Sequence, residues 1–179
     1  GNIHQAIYNM LGYYPVSIDF QQMRDSEKVS NDQLFEKILK YHEKGAVMGT
    51  SISNLPNGVT KNEIIQKGLV TNHCYLVVKV QKASNMNFLC LRNPWGDHEW
   101  NGDWYDNSPL WTPELETELN VIKAEDGTFW MIDKDFFKYF TDLDVCKPFP
   151  EGTYSKRFFY QLVPGDHDGL HPSDEKANY

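Results

Sequence analysis

Two side chains in this sequence have types and positions that suit proton transfer, His73 and Asn93. A neutral imidazole can give and take a proton near neutral pH, and an amide oxygen can accept one of its ring N–H groups. That hydrogen bond would hold the ring in one tautomer and one orientation. Trp95, two residues beyond Asn93, is placed to cover the bond and exclude water. The set is the orienting half of a nucleophile–histidine–asparagine arrangement. Its nucleophile is not evident in the chain.

The elements that must position this pair are read from residue patterns. Thr71 to Val80 is rich in β-branched and aromatic residues and lacks Gly and Pro, so it predicts a strand. Asn87 to Arg92 predicts a second strand, and Ala83-Ser84-Asn85-Met86 a polar turn between them. Period-two alternation puts His73, Tyr75, Val77 and Lys79 on one face, and Cys74, Leu76, Val78 and Val80 on the other. His73 and Cys74 are therefore neighbours in sequence whose side chains diverge, which argues against a catalytic couple between them. Pro94 ends the second strand. Antiparallel pairing would then bring Asn93 beside His73.

The motifs His73-Cys74-Tyr75, Leu91-Arg92-Asn93-Pro94-Trp95-Gly96, Glu99-Trp100-Asn101-Gly102-Asp103-Trp104 and Asp126-Gly127-Thr128-Phe129-Trp130-Met131 occur in that order. Together they resemble the second half of a calpain catalytic core, over residues 1–147. The resemblance implies an α+β fold: the second subdomain of a papain-like cysteine protease, an antiparallel sheet or barrel-like structure with flanking helices. In that family the nucleophilic Cys lies in the first subdomain, in a Gly-x-Cys-Trp context that Cys74, Cys90 and Cys146 lack. The resemblance implies that this chain is an excised piece supplying His73, Asn93 and Trp95 to a Cys-His-Asn triad. It would be inactive alone, with the first catalytic subdomain as its partner and proteins as its substrates. A calpain-like calcium-binding or scaffold protein whose missing half lacks the Cys is the alternative. The family usually has Gly before the histidine and a small residue after it. Here Asn72 and Cys74 stand at those places, and a side chain at 72 would narrow the cleft crossed by substrate backbone.

Between Asp97 and Asp126 there are nine acids and one base, an excess equal to the net charge of −8 on the whole chain. Four of the five tryptophans fall between Trp95 and Trp111. Acidic loops stiffened by indoles can offer a hard cation several fixed oxygens. The resemblance implies a Ca²⁺ held by the carboxylates of Glu99, Asp106 and Asp126 and the Ala124 carbonyl. Thr128 stands where the family has a further acidic ligand. The same stretch also reads as a solvated acidic surface with tryptophans packed inward, or as a carbohydrate- or peptide-binding module built on Trp100 and Trp104.

The remaining chain supplies scaffold. Residues 3–11 have helical spacing between Asn2 and Gly12, and Tyr13 to Phe20 is β-prone. Ser30-Asn31-Asp32 opens an amphipathic helix ending near Gly45, where a protonated His42 would suit the helix dipole. Ala46 to Ile52 predicts a strand, Leu55 to Gly68 a polar connection with a helical patch at Ile64-Ile65, and Phe129 to Met131 a strand. Asp133 caps a helix over 134–140, with Phe136, Phe137 and Phe140 at core spacing. Residues 148–179 read as a linker, a strand over 157–163 and an acidic tail containing His167 and His171; the calpain resemblance implies that they are the truncated start of a following C2-like β-sandwich domain. The net charge of −8 argues against non-specific nucleic-acid binding. No apolar run reaches membrane-span length and no signal peptide is visible. Three cysteines without metal spacing favour a reducing, intracellular and cytoplasmic setting.

Overall fold

The computed structural model describes residues 14–147. The helix expected over 3–11, the strand over 157–163 and the histidines of the tail lie outside the described residues. Six strands are β1 (Tyr14–Asp19), β2 (Val47–Ser51), β3 (Cys74–Ala83), β4 (Met86–Arg92), β5 (Thr128–Ile132) and β6 (Asp142–Lys147). They form one antiparallel sheet in the order β1-β6-β2-β3-β4-β5. The pairing closes no barrel among the described residues, because β1 and β5 are its two edges. The last described strand, β6, lies between β1 and β2, so both ends of the described chain meet at one side of the sheet.

Among the described residues five helices accompany the sheet: α1 (Phe20–Glu27), α2 (Asn31–Glu43), α3 (Lys61–Gln66), α4 (Pro113–Leu119) and α5 (Asp133–Tyr139). Ser30 and Gln33 close a reciprocal capping box on α2. Thr60 and Thr112 cap α3 and α4 through their side chains. Asp133 does not cap α5 as expected. Ile132 holds the N-cap position without a side-chain bond, and Asp133 sits in the first turn, where its carboxylate accepts from the Lys134 N–H. The α1 helix replaces what the sequence showed only as the end of a strand. Asp19 caps it, and Phe20 and Met23 turn inward three residues apart.

The main core lies between the sheet and α1, α2, α3 and α5, and includes Phe20, Phe35, Ile38, Met48, Tyr75, Leu91, Phe129, Phe136 and Phe140. A second apolar cluster joins Phe88, Cys90 and Trp130 of β4 and β5 to Trp104, Trp111, Leu115 and Leu119. Trp104 and Trp111 meet edge to face at 5.0 Å. Trp100 and Trp104 are 3% and 7% exposed, so they offer no stacking platform for a sugar. Trp100, Trp104 and Trp111 are therefore packed inward, whereas Trp95 is exposed.

The hairpin departs from simple alternation at one place. Val77 pairs with Leu91, but Lys79 pairs with Cys90, so Val78 is a β-bulge. One extra residue reverses the faces beyond it. Val80 joins Tyr75 and Val77 in the main core, whereas the sequence placed it opposite them. Lys79 goes the other way: its ammonium donates to the Leu119 carbonyl at 2.9 Å and lies 5.7 Å from the Trp130 ring. The turn is tighter than expected. Ala83 pairs with Met86, and Ser84 and Asn85 both have positive φ, as a two-residue hairpin turn demands.

Candidate active site

His73 immediately precedes β3 and Asn93 immediately follows β4. Hairpin pairing alone therefore brings them together: the His73 Nε2 to Asn93 Oδ1 distance is 2.7 Å. Asn93 is fully buried, and each polar group of its amide is used. Its Nδ2 donates to the carbonyls of Asp97 (2.5 Å) and His98 (3.3 Å), and its Oδ1 also accepts the Trp95 N–H at 3.1 Å. These bonds fix the amide so that oxygen faces the imidazole. Nε2 must then carry the proton and donate, which leaves Nδ1 as the basic nitrogen of the ring.

Two aromatic rings hold the imidazole. Trp95 lies over it with ring centroids 4.0 Å apart, and Tyr75 meets it edge-on at 5.1 Å. Tyr75 is buried and accepts the Val70 N–H on its hydroxyl at 2.8 Å; burial pushes its pKa up to about 12. Trp95 is 61% exposed, so its outer face is open.

None of the three thiols suits the missing role. Burial, reinforced by Asp144 and Asp142, pushes Cys74 up to about 11, and burial takes Cys90 up to about 12. Cys146 is raised by burial as well. A thiol so far from ionisation is a poor nucleophile at neutral pH. His42, which the sequence suggested would suit a helix C-terminus when protonated, has its pKa lowered by burial and by Lys79.

Behind Asn93 lies the acidic turn. The Asn93 N–H donates to the Gly127 carbonyl at 2.7 Å, and Gly96 N–H returns to the Asn93 carbonyl at 3.0 Å. Gly127 has φ +85, and a Cβ there would fall 2.5 Å from the Asn93 carbonyl oxygen and 2.9 Å from Gly96 Cα. Glu99 Oε1 accepts from the N–H groups of Asp126 (3.0 Å) and Gly127 (2.7 Å). Asp106 Oδ2 accepts from Ala124 N–H, and Asp126 Oδ1 from Thr128 N–H. The 99–101 stretch is clasped in turn by α3's end, through Asn101 N–H to the Lys67 carbonyl and Asn101 Nδ2 to the Gln66 carbonyl. Gly127, Glu99 and Asn101 were not singled out as supports for the pair. The Asp-Gly at 126–127 was the available signal, since that dipeptide marks turns needing positive φ.

Glu99 and Asp106 line a cleft of about 390 Å³ bounded by Gly96 to Asn101, Tyr105 to Asn107 and Lys123 to Glu125. Among the described residues no group of three or more His, Cys, Asp or Glu side chains converges closely enough to hold a metal ion. The donor chemistry nevertheless fits a hard cation. Asp106 is pushed up to about 6, first by burial and then by the charges of Glu99 and Asp126, against the pull of the Ala124 N–H. Thr128, through hydroxyl and backbone, lowers Asp126 instead. Like charge is thus concentrated around one turn, and a cation would relieve it.

Comparison with known proteins gives the family. The calpain family cysteine protease model matches residues 1–147. The chain belongs to the calpain family. The rat (Rattus norvegicus) calpain-1 catalytic subunit is 37% identical over 138 residues, covering 74% of this chain and 19% of the relative. Mouse (Mus musculus) calpain-5 is 31% identical over 163 residues, covering 82% of this chain and 25% of the relative. The Arabidopsis thaliana calpain-type cysteine protease DEK1 is 28% identical over 152 residues, covering 84% of this chain and 7% of the relative. This calpain chain therefore spans a quarter or less of the length of these relatives. No helix among its described residues is long and apolar enough to cross a membrane.

Proposed function

We propose that this calpain chain is the second catalytic subdomain, supplying the histidine and asparagine of a Cys-His-Asn triad that hydrolyses peptide bonds in proteins. The observation that carries this reading is the 2.7 Å contact between His73 Nε2 and an Asn93 amide whose own bonds fix its orientation. The nucleophilic cysteine comes from the first catalytic subdomain, which docks against the side where Nδ1 and Trp95 are presented. Its thiol proton passes to Nδ1, giving a thiolate–imidazolium pair. The thiolate attacks the scissile carbonyl carbon. As the C–N bond breaks, the Nδ1 proton goes to the leaving amine. Nδ1 then takes a proton from water, whose oxygen attacks the thioester; the C–S bond breaks, the acid is freed and the Nδ1 proton returns to the sulfur. Throughout, Asn93 keeps the ring from rotating, and Trp95 keeps water from competing for Nε2–H.

A bound Ca²⁺ would be held by Glu99, Asp106, Asp126, the Ala124 carbonyl and Thr128, and would supply positive charge to an over-acidic turn. Glu99, one of the residues that would hold the ion, accepts the Gly127 N–H, and the Gly127 carbonyl accepts the Asn93 N–H, so the ion site would adjoin the support of the triad.

The test is a fluorogenic peptide assay on the pure chain, which on this reading shows no turnover. Turnover abolished by His73→Ala would mean that the chain carries its own nucleophile, and would overturn the proposal.

A further inference from the structure

His73 lies just outside the ladder that fixes β3. The last β2–β3 pair is Ser51 with Cys74, and the residue on the other side of the histidine, Asn72, has φ +53. A non-glycine residue keeps that conformation only where its surroundings hold it. What holds it is the Asn72 N–H bond to the Ile52 carbonyl at 3.0 Å. Ile52 is itself one residue past the end of β2, so the placement of His73 depends on what fixes the chain after Ser51.

Asp142, the first residue of β6, fixes it. Its Oδ1 accepts the Ser51 hydroxyl at 2.7 Å and its Oδ2 accepts the Ser53 hydroxyl at 2.6 Å. The two serine hydroxyls are 2.7 Å apart. Thr141 completes the clasp: its hydroxyl reaches Asp142 Oδ2 at 2.9 Å and accepts the Ser53 N–H at 2.9 Å, while its own N–H donates to the Ser51 carbonyl at 3.0 Å. Residues 51 and 53 are thus tied on both sides of Ile52, whose side chain is buried in the core.

We propose that Asp142 is a positioning residue for the catalytic histidine, acting through Ser51 and Ser53 to fix the Ile52 carbonyl that receives the Asn72 N–H. It touches neither substrate nor reacting atoms. Charge-assisted bonds from two hydroxyls to one carboxylate are stronger than neutral ones, which suits a chain segment leaving the sheet. The inference rests on the reading of His73 as catalytic, but its test does not depend on activity.

The experiment is NMR on the 179-residue chain, comparing the wild type with Asp142→Ala, Asp142→Asn and Ser53→Ala. Two signals are followed: the exchange rate of the Asn72 amide and the His73 ring N–H proton bonded to Asn93. In Asp142→Ala, Asn72 exchange rises at least about tenfold through local opening, and the ring N–H signal broadens or disappears. Amides of Val80, Leu89 and Leu91 in the hairpin are unchanged. Asp142→Asn, which keeps an acceptor in place, restores both signals in large part. Unchanged Asn72 and His73 signals in Asp142→Ala overturn the proposal. Equal acceleration across β2, β3 and β4 also overturns it, because Asp142 would then only stabilise the sheet. Should Asp142→Ala fail to fold, Ser53→Ala removes a single hydroxyl at an exposed position and is read by the same two criteria. A negative result here leaves the peptide-cleavage reading of His73 standing.

Discussion

Gly127 offers a quantitative test of how the acidic turn supports the pair. Its φ of +85 is a conformation that costs an alanine about 1 kcal/mol relative to glycine. Space is the second difficulty. A Cβ at Gly127 would be 2.5 Å from the Asn93 carbonyl oxygen and 2.9 Å from Gly96 Cα, both backbone atoms that no rotamer change can move. Gly58 has φ +77 and no atom within 4 Å of the corresponding position. Gly58→Ala therefore reports strain alone, and Gly127→Ala reports strain plus displacement of Asn93. We expect a loss of about 1 kcal/mol for Gly58→Ala and about 3 kcal/mol for Gly127→Ala. For a chain of this size that is a drop of roughly 2–4 °C against roughly 6–12 °C in melting temperature. The assay is thermal and urea unfolding of both variants beside the wild type. Equal destabilisation by the two substitutions would refute the claim that Gly127 is fixed by close approach to Asn93.

Three further outcomes are expected. Calorimetric titration with Ca²⁺ shows saturable binding that Asp126→Ala abolishes; no binding by the wild-type chain would mean that Thr128 in the acidic position disables the site. Because burial and Lys79 lower the His42 pKa below 6.5, the folded state binds fewer protons there than the unfolded chain. The stability that His42 contributes is present above 6.5 and is lost as pH falls through its folded pKa; His42→Gln should flatten that part of a urea-midpoint profile, and an unchanged profile would contradict the assignment. Tyr75→Phe leaves the Val70 N–H without its 2.8 Å acceptor, for a loss of about 1–3 kcal/mol in urea unfolding; a change under 0.5 kcal/mol would show that water replaces the hydroxyl at about no net cost.

The His73–Asn93 contact was legible because a hairpin needs only local information: two strand-like runs, a polar turn and a proline stop. The same run of residues concealed the bulge at Val78. Nothing in Leu76-Val77-Val78-Lys79 marks which residue is extra, and Lys79 turns away only because the Leu119 carbonyl and the Trp130 ring lie on the far side. The α4 helix was hidden by its acidity. Leu115 and Leu119 are its buried residues, too thin a stripe to register among four polar neighbours, although Thr112-Pro113 is a sound helix opening. The α1 helix was lost because Phe20 closes a β-prone run and opens a helix at once. The strand order was out of reach altogether. Placing β6 between β1 and β2 depends on pairings between residues far apart in the chain, which no local pattern encodes. The clasp between Asp142 and the two serines follows from that order and was invisible for the same reason.

On the proposed reading, His73 and Asn93 form the proton-transfer half of a peptide-cleaving site. The direct measurement is kcat/KM for a fluorogenic peptide with the full-length protein and its His73→Ala variant, at saturating Ca²⁺. The account predicts a loss of at least about 10²–10⁴-fold, the usual contribution of a positioned acid–base residue. Full retention of activity in His73→Ala would contradict it. A full-length wild type that binds Ca²⁺ yet cleaves nothing would place the protein among non-catalytic scaffolds.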